Sequence, residues 1–138
     1  LEHQNEPNSL LLTDYLKFII PDLQVMYPVV NLSQHTMQFF PSSDQTQTNP
    51  WGIEEPLPNN TIPAQNIDTF LVPLLGFDKL GHRIGFGKGY YDKYFENAPV
   101  HVSRIGISYF EPIDAILDTH QFDVPLTHCI TPWNIYEF

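Results

Sequence analysis

The sequence contains little positive charge, a single cysteine and no long apolar segment. Six Lys and Arg stand against 16 Asp and Glu, so the formal net charge is −10. Nucleic acids are bound through many basic contacts to phosphate, and so acidic a chain is poorly suited to them. Cys129 has no second cysteine to pair with, which excludes an internal disulfide and favours the reducing cytoplasm. No apolar run approaches the roughly 18 residues of a membrane helix. We therefore expect a cytoplasmic protein without nucleic-acid or membrane partners.

The first third of the chain predicts one helix and two strands. Residues 10–20 carry apolar side chains at helical spacing, with Ser9 as a candidate N-cap. The stretches "LQVMYPVV" (23–30) and "TMQFF" (36–40) are rich in β-branched and aromatic residues, as strands are. Pro28 is expected near a strand end, because proline cannot donate a hydrogen bond to a sheet.

A change of composition follows, from residue 41 to residue 66. This segment is rich in Pro, Ser, Asn, Gln and Thr and predicts a long surface loop. It contains "WGIEEP" (51–56), whose Trp51 has two interpretations. The indole could cover the core, or it could form a flat wall for a planar ligand.

The second half alternates strands with helices. We predict a buried, central parallel strand at 67–75, a helix at 89–98, a strand at 103–109, a short helix at 112–117 and a last strand at 127–131. This alternation indicates an α/β fold with a mostly parallel sheet. The length of 138 residues, 42% of them hydrophobic, is that of a single domain.

Basic side chains and glycines are concentrated between residues 76 and 93. Four of the six basic residues lie there, namely Lys79, Arg83, Lys88 and Lys93. Glycines at 85, 87 and 89 permit positive φ and a close approach of the backbone to a ligand. Bare N–H groups before a helix can bind an anion, and Arg83 and Lys88 could neutralise phosphate oxygens. The alternative is a solvated basic face without a ligand.

The glycine pattern matches neither common phosphate motif. A Walker loop needs Ser or Thr after its lysine, but Lys88 precedes Gly89. A dinucleotide fingerprint needs the spacing G-x-G-x-x-G, and here the spacing is G-x-G-x-G. Asp92, in the first turn of the predicted helix, could favour the positive helix end. It could instead hold Mg²⁺ between carboxylate and phosphate, with Asp123 as a second oxygen ligand.

The segment "VPLLGFDKLGHRIGFGKGYYDKYF" resembles the signature of the 5-formyltetrahydrofolate cyclo-ligase family. Shorter pieces resemble other family segments in the same order. They are "NEPNS" for E-x-x-T, "WGIEEP" for W-x-I-x-x-P, and "FDVPL…CIT" for the C-terminal motif. The resemblance spans nearly the whole chain, 1–138, as one domain. It implies a three-layer α/β/α sandwich with a mostly parallel sheet.

The resemblance also implies the site residues. The ATP-binding residues would be Arg83, Ile84, Gly85, Phe86, Gly87, Lys88, Gly89, Tyr90 and Tyr91. The substrate-binding residues would be Leu1, Glu6, Trp51, Phe86, Gly87, Lys88, Gly89 and Tyr90. Asp92 and Asp123 would hold Mg²⁺, and Arg83 and Lys88 would be catalytic. The protein would be a monomer whose partners are ATP and 5-formyltetrahydrofolate.

The family's reaction closes 5-formyltetrahydrofolate to 5,10-methenyltetrahydrofolate and releases ADP and phosphate. It needs no side-chain nucleophile, so Cys129 is expected to be a buried small residue and the six His to be structural. A homologue that binds folate or nucleotide without turnover is the alternative. A third reading is a structural α/β domain whose glycines only turn the chain.

Several positions depart from the family pattern. We expect the chain to lack the family's basic N-terminal segment, which also contacts ATP. Leu74 occupies the place of a signature glycine, Ile84 replaces a similar apolar residue, and Phe122 and Thr127 stand where the C-terminal motif has His and Asp. These changes leave the predicted fold intact and bear on catalysis.

Overall fold

The computed structural model describes residues 6–85, 88–121 and 123–138. The chain divides into two compact units. The first unit comprises Leu10–Asn66, and the second comprises Ile67–Phe138 together with residues 6–9. Within the described residues, no helix has the length and apolar character needed to cross a bilayer.

The first unit contains a helix and two antiparallel hairpins. Its elements are α1 Ser9–Ile19, β1 Met26–Asn31, β2 Thr36–Pro41, β3 Thr46–Thr48 and β4 Glu54–Pro56. The first residue of α1, Ser9, is counted with the second unit. β1 pairs with β2, and β3 pairs with β4. The buried apolar residues come from the first hairpin, where Val29, Met37, Phe39 and Phe40 are nearly inaccessible. The helix and both long strands of this unit are therefore predicted at the right places, but Ser9 is the first helical residue and not the N-cap.

Pro28 does not lie at a strand end, as we had expected. It is the third residue of β1 and is paired with Phe39. The N–H of Val30, two residues later, points away from β2 and donates to the side chain of Glu55 at 3.2 Å. Backbone N–H groups two residues apart in a strand face the same side, so the nitrogen of Pro28 also faces away from β2. The missing donor costs the β1–β2 ladder nothing.

The segment 41–66 is not a structureless loop, which corrects the prediction. It contains the β3–β4 hairpin, with Thr46 paired to Pro56 and Thr48 paired to Glu54. β3 is entirely exposed and polar, so it has none of the apolar alternation by which strands are predicted. Only the hydrogen bonds of the fold reveal it.

The second unit is a mixed α/β fold around a four-stranded sheet. Its elements are β5 Thr69–Pro73, β6 Gly76–Phe77, β7 Arg83–Ile84, α2 Tyr90–Glu96, β8 Ser103–Ile107, β9 His128–Ile130 and β10 Ile135–Glu137. The strand order is β10-β9-β8-β5, in which β5, β8 and β9 are parallel and β10 is antiparallel. β6 and β7 form a separate antiparallel pair.

Most of the predicted elements of this unit are present, with two corrections. β5 lies at the end of the strand order and not in the centre of the sheet. Residues 112–117 form no helix; Ile113 instead bridges to Asp78. β6, β7 and β10 were not predicted, because two or three residues are too short to show a period.

Close packing in the middle of β8 explains why residue 106 is a glycine and why Cys129 is unreactive. A Cβ on Gly106 would lie 2.7 Å from Leu126, 2.8 Å from Leu74 and 3.1 Å from the sulfur of Cys129. Leu74, at the place of a family glycine, is therefore part of the core. Burial raises the pKa of Cys129 to about 12, so its thiol stays protonated and unreactive. This agrees with the prediction of a buried small residue.

Candidate functional site

A buried aspartate holds the hairpin that carries Arg83. Asp78 follows β6 and is 1% exposed. Its carboxylate accepts hydrogen bonds from the backbone N–H groups of Leu80, His82 and Ile116 at 2.9 to 3.0 Å. The ring nitrogen Nδ1 of His82 lies 3.1 Å from its other oxygen. Burial opposes ionisation, but these hydrogen bonds outweigh it and hold the pKa of Asp78 below its ordinary value. The chain thus enters β7 in one conformation.

Arg83 is engaged by protein groups on all sides. One guanidinium nitrogen, Nη2, lies 2.6 Å from Oδ1 of Asp92, and the other, Nη1, donates to the carbonyl of Val124. The guanidinium carbon is 5.7 Å from the centroid of the Phe95 ring, within the range of a cation–π contact. The side chain is 10% exposed. Arg83 therefore links β7, in which it lies, to α2 and to the segment before β9.

Asp92 joins the same three parts of the unit. Its Oδ1 accepts from Arg83 and also from the backbone N–H of Val124 at 3.0 Å. Val124 follows Asp123, so the two predicted metal ligands lie on neighbouring segments. The Asp123 carboxylate itself accepts a hydrogen bond from the N–H of His120 at 2.8 Å. The sequence suggested two roles for Asp92, stabilisation of the helix end or metal binding. In the structure, its carboxylate accepts hydrogen bonds from Arg83 and Val124.

These carboxylates fit a magnesium ion only if phosphate supplies further ligands. No group of three or more His, Cys, Asp or Glu that could hold a metal exists among the described residues. Mg²⁺ in nucleotide sites is held by one or two carboxylates together with phosphate oxygens and water. Asp92, with one oxygen committed to Arg83, suits this arrangement and does not suit a site made of protein ligands alone.

Arg104 belongs to the cluster and was missed by the sequence reading. Its guanidinium carbon lies 5.9 Å from the Phe95 centroid, so Arg83 and Arg104 share one ring. It donates to the carbonyls of Pro125 at 2.8 Å and Val102 at 3.3 Å. Burial, and then the charge of Arg83, lower the pKa of Arg104. An arginine inside the apolar stretch "SRIGISY" was the available signal.

The cluster lies near the amino ends of two strands. In parallel sheets, ligands usually bind at the carboxyl ends of the strands. Arg104 is instead the second residue of β8, and Val124 precedes β9. The β6–β7 pair turns the chain back before α2 begins, and the contacts of Arg83 therefore form near the amino ends of β8 and β9.

Burial and two neighbouring charges shift the pKa of Tyr91. Burial raises the pKa of Tyr91 to about 12, while the charge of Arg83 lowers it and the charge of Glu6 raises it. Burial also raises the pKa of Glu6. The charges of Arg83 and Glu6 therefore act on the Tyr91 phenol in opposite directions.

The described residues of the glycine segment between β7 and α2 are open to solvent. Ile84, Gly85, Lys88 and Gly89 are exposed, and Tyr90 is buried. Gly89 adopts φ 71° as the residue preceding α2, and no atom lies within 4 Å of a Cβ built on it. Gly85 does not have positive φ. Phe86 and Gly87, two predicted contacts of both ligands, lie outside the described residues.

A shallow groove runs along one side of α2. Its volume is about 350 Å³, and its lining residues are Gly89, Asp92, Lys93 and Glu96. It combines the bare backbone before the helix with a carboxylate and an ammonium group. This is the described surface of the second unit at which a phosphate and a cation could meet Asp92.

The first unit carries the remaining predicted contact, Trp51. It is half-buried in the turn between β3 and β4. Beside it lies a groove of about 510 Å³ whose lining includes Phe40, Asn49, Pro50 and Glu55. Glu55 is the only acidic or basic residue in that lining. Leu1 lies outside the described residues.

Comparison with known proteins supports one family. The model of the 5-formyltetrahydrofolate cyclo-ligase family matches residues 10–132. The chain is 43% identical over 72 residues, 51% of its length, to the 5-formyltetrahydrofolate cyclo-ligase of Mycoplasma genitalium. It is 33% identical over 107 residues, 75% of its length, to that of Haemophilus influenzae.

A solved structure agrees with this match. The 5,10-methenyltetrahydrofolate synthetase of Mycoplasma pneumoniae superposes on 87% of the chain with a TM-score of 0.59 and 33% identity. The chain spans only part of these proteins. It covers 44% of the length of the Mycoplasma genitalium enzyme, 57% of the Haemophilus influenzae enzyme and 62% of the solved chain.

Proposed function

Since the chain belongs to the 5-formyltetrahydrofolate cyclo-ligase family, we propose that it catalyses the ATP-dependent conversion of 5-formyltetrahydrofolate to 5,10-methenyltetrahydrofolate, with release of ADP and phosphate. One observation carries the proposal. Arg83 in β7, Asp92 in α2 and the segment that contains Asp123 are joined by hydrogen bonds. These are the parts to which the family signature assigns phosphate and metal.

The chemical difficulty of this reaction is a poor leaving group. The oxygen of a formamide does not depart unaided. Transfer of the γ-phosphoryl group of ATP to that oxygen forms an O–P bond and breaks the bond to ADP. Atom N10 of the same folate then attacks the formyl carbon and loses its proton, and the C–O bond breaks as phosphate leaves and takes up that proton. Such a reaction depends on positioning and charge neutralisation more than on a side-chain nucleophile.

The exposed glycine segment would hold the phosphates of ATP. Backbone N–H groups of residues 84–91 would bind phosphate oxygens, and the exposed Lys88 would add a mobile positive charge. Arg83 has two of its donors committed to Asp92 and Val124, so it would contribute from a fixed place. A cation that is already held in position loses little entropy when the anion binds.

Asp92 and Asp123 would hold Mg²⁺ together with the phosphates. Bound there, the ion would neutralise the charge on the transferring phosphoryl group. Arg83 and the N–H of Val124 orient one oxygen of Asp92 and leave the other for such a role.

Folate would be recognised by other residues. Glu6 would accept hydrogen bonds from the pterin, and Trp51 would offer a flat surface to its ring. Leu1, Phe86, Gly87, Lys88, Gly89 and Tyr90 would complete the contacts. We propose further that the protein is a cytoplasmic monomer with the family's three-layer sandwich and mostly parallel sheet.

A non-catalytic homologue that binds folate or nucleotide is the second candidate. The observation in its favour is Thr127, at the place of a family aspartate. Its hydroxyl donates to the carbonyl of Arg104 at 3.1 Å and accepts from the N–H of Arg104 at 2.9 Å. Thr127 therefore ties β8 to the start of β9 and offers no carboxylate.

A turnover assay tests the proposal. The protein is given 5-formyltetrahydrofolate and MgATP, and the absorbance of the methenyl product and the release of ADP are followed. We expect product and ADP in equal amounts, with neither formed when ATP is omitted. Binding of folate by calorimetry without ADP release would favour the second candidate, and absence of both binding and turnover would exclude the two together.

A further inference from the structure

Asn49 organises the turn that presents Trp51. The side-chain oxygen of Asn49 accepts hydrogen bonds from the backbone N–H groups of Trp51 and Ile53, each at 3.0 Å. The main chain of Asn49 also bonds to Ile53 and Gly52 at 2.9 Å. Gly52 takes φ 80°, which closes the turn. The backbone at Trp51 is therefore held by the side chain and the main chain of Asn49, and of these only the side-chain oxygen accepts from the N–H of Trp51 itself.

A buried carboxylate determines which way that amide points. Glu55 is 4% exposed. Its Oε1 lies 3.0 Å from Nδ2 of Asn49 and accepts the N–H of Val30 at 3.2 Å, and its Oε2 lies 3.4 Å from Nε2 of Gln47. An ionised carboxylate only accepts hydrogen bonds, so Asn49 must turn its NH₂ group toward Glu55. Its oxygen is then left for the turn.

From this relay we propose that Glu55 is a positioning residue for folate recognition, acting through Asn49 on Trp51. Glu55 fixes the amide, the amide fixes the turn, and the turn fixes the indole. The anchor is rigid, because Oε1 of Glu55 is tied to Val30 in β1. The inference rests on the proposed function, since it takes Trp51 to contact the folate ring.

The neighbouring Glu54 provides a matched control. It has the same side chain one position earlier in β4, but it is exposed. Its Oε1 accepts from the hydroxyl of Thr46 at 2.9 Å. Loss of Glu54 would remove the same charge without disturbing Asn49.

The first measurement needs no ligand. In a Trp133→Phe background, Trp51 is the only tryptophan of the sequence, and acrylamide quenching of its fluorescence reports how well the turn is held. Removing a buried hydrogen-bond partner should raise the quenching constant at least about twofold in Glu55→Ala and in Asn49→Ala, and not in Glu54→Ala. Because both act in one relay, the double variant should show no further rise. Unchanged quenching in Glu55→Ala, or additive effects, would overturn the proposal.

The second measurement separates binding from chemistry. Loss of the relay should raise the KM for 5-formyltetrahydrofolate about tenfold, while the KM for ATP and kcat stay within about twofold. A fall in kcat with unchanged folate KM would contradict a positioning role. Should the parent protein neither bind nor convert folate, the proposed function fails, and the quenching measurement still decides the relay.

A conservative variant guards against a simple folding defect. Glu55→Gln keeps an oxygen that can accept from Val30 and Asn49, and Gln47 can rotate its amide to match. We expect it to recover at least half of the rise in quenching seen in Glu55→Ala, with thermal unfolding recorded for each protein. If Glu55→Gln behaves like Glu55→Ala although it is fully folded, the acceptor role of this oxygen is wrong.

Discussion

Glu55 in the first unit and Asp78 in the second are both almost fully buried carboxylates, at 4% and 1% exposure, but they meet different donors. Glu55 accepts from one backbone N–H and two neutral amide side chains. Asp78 accepts from three backbone N–H groups and contacts a histidine ring. Each carboxylate holds a turn, the first the turn of Trp51 and the second the turn that leads to Arg83.

The wider surroundings of the two carboxylates differ more strongly. All basic residues except Lys17 lie in the second unit. There, Arg83 and Arg104 share one aromatic ring, and Arg83 pairs with Asp92. The groove of the first unit is lined by amides, prolines and apolar side chains around Glu55. The comparison teaches that charge is concentrated where phosphate would bind, and that neutral hydrogen bonding shapes the surface beside Trp51.

The largest effect should come from removing Asp78. Without its carboxylate, four polar groups lose their partner, and Asp78→Ala should lower the free energy of unfolding by about 3 kcal/mol or more. Glu55→Ala should cost less, about 1–3 kcal/mol, since its donors are fewer and neutral. Urea unfolding measures both, and Asp114→Ala, which removes an exposed carboxylate, is the control. Equal losses in the free energy of unfolding for Asp78→Ala and Glu55→Ala would contradict the difference that we expect between the two carboxylates.

The depressed pKa of Asp78 gives this effect a pH dependence. The folded pKa lies below the ordinary value of 3.8, so the ionised form contributes stability in full above that value. The contribution is lost as the pH falls toward and through the folded pKa. The difference in the free energy of unfolding between the parent and Asp78→Asn should therefore shrink on acidification below about pH 4. A difference that grew on acidification would contradict a lowered pKa of Asp78.

The next effect concerns Asp92, whose loss should lower turnover without changing the surroundings of Trp51 in the first unit. Asp92→Asn removes a charge from Arg83 and from the proposed magnesium ion, and turnover should fall by about a hundredfold. Quenching of Trp51 should not change. Glu96→Gln, on the same groove and one turn later, is the matched control. Wild-type turnover in Asp92→Asn would mean that the metal is held elsewhere.

A smaller effect is expected for the exposed Lys88. Its ammonium group would meet phosphate, so Lys88→Ala should raise the KM for ATP about tenfold, as the loss of one charge-assisted hydrogen bond does. The KM for folate should rise as well but by a smaller factor, since Lys88 is only one of several proposed folate contacts. Lys79→Ala serves as the control, because Lys79 pairs with the exposed Asp114. An equal rise for both lysines would indicate a general effect of charge.

The smallest effect is a titration of Tyr91 in alkali. Its folded pKa of about 12 exceeds the ordinary value of 10.0, so the neutral phenol stabilises the folded state. That contribution is complete below pH 10 and is lost as the pH rises to 12. Tyr91→Phe should lose less stability than the parent over this interval, whereas Tyr15→Phe, at an exposed position, should follow the parent.

The elements that sequence patterns predicted share a simple cause. β1, β2, β5, α2 and β8 each contain enough apolar residues to be recognised from the sequence, and at least partial burial of those residues favours their formation. α1 shows a period of 3.6 although none of its residues is buried. β3, β4, β6, β7 and β10 are two or three residues long and show no period; β9 is as short, but it lies within the predicted segment 127–131. Residues 112–117 do not form the predicted helix, because their backbone instead makes contacts with Asp78.

The candidate site was predictable in its residue types and not in its pairing. The glycine-rich motif identified Arg83, Lys88 and Asp92 as one group, because its composition is rare. It could not show that Arg83 and Asp92 bind each other, or that Arg104 joins them across the sheet.

By itself the sequence determined the acidic surface, the main helices and strands, and a family signature, because these depend on composition and on order along the chain. The tertiary structure alone decided which carboxylates became buried anchors. Val30 and Glu55 are 25 residues apart, and Asp78 and Ile116 are 38 apart. Such hydrogen bonds leave no local pattern, since a buried carboxylate is stable only when the folded chain brings its distant donors to it.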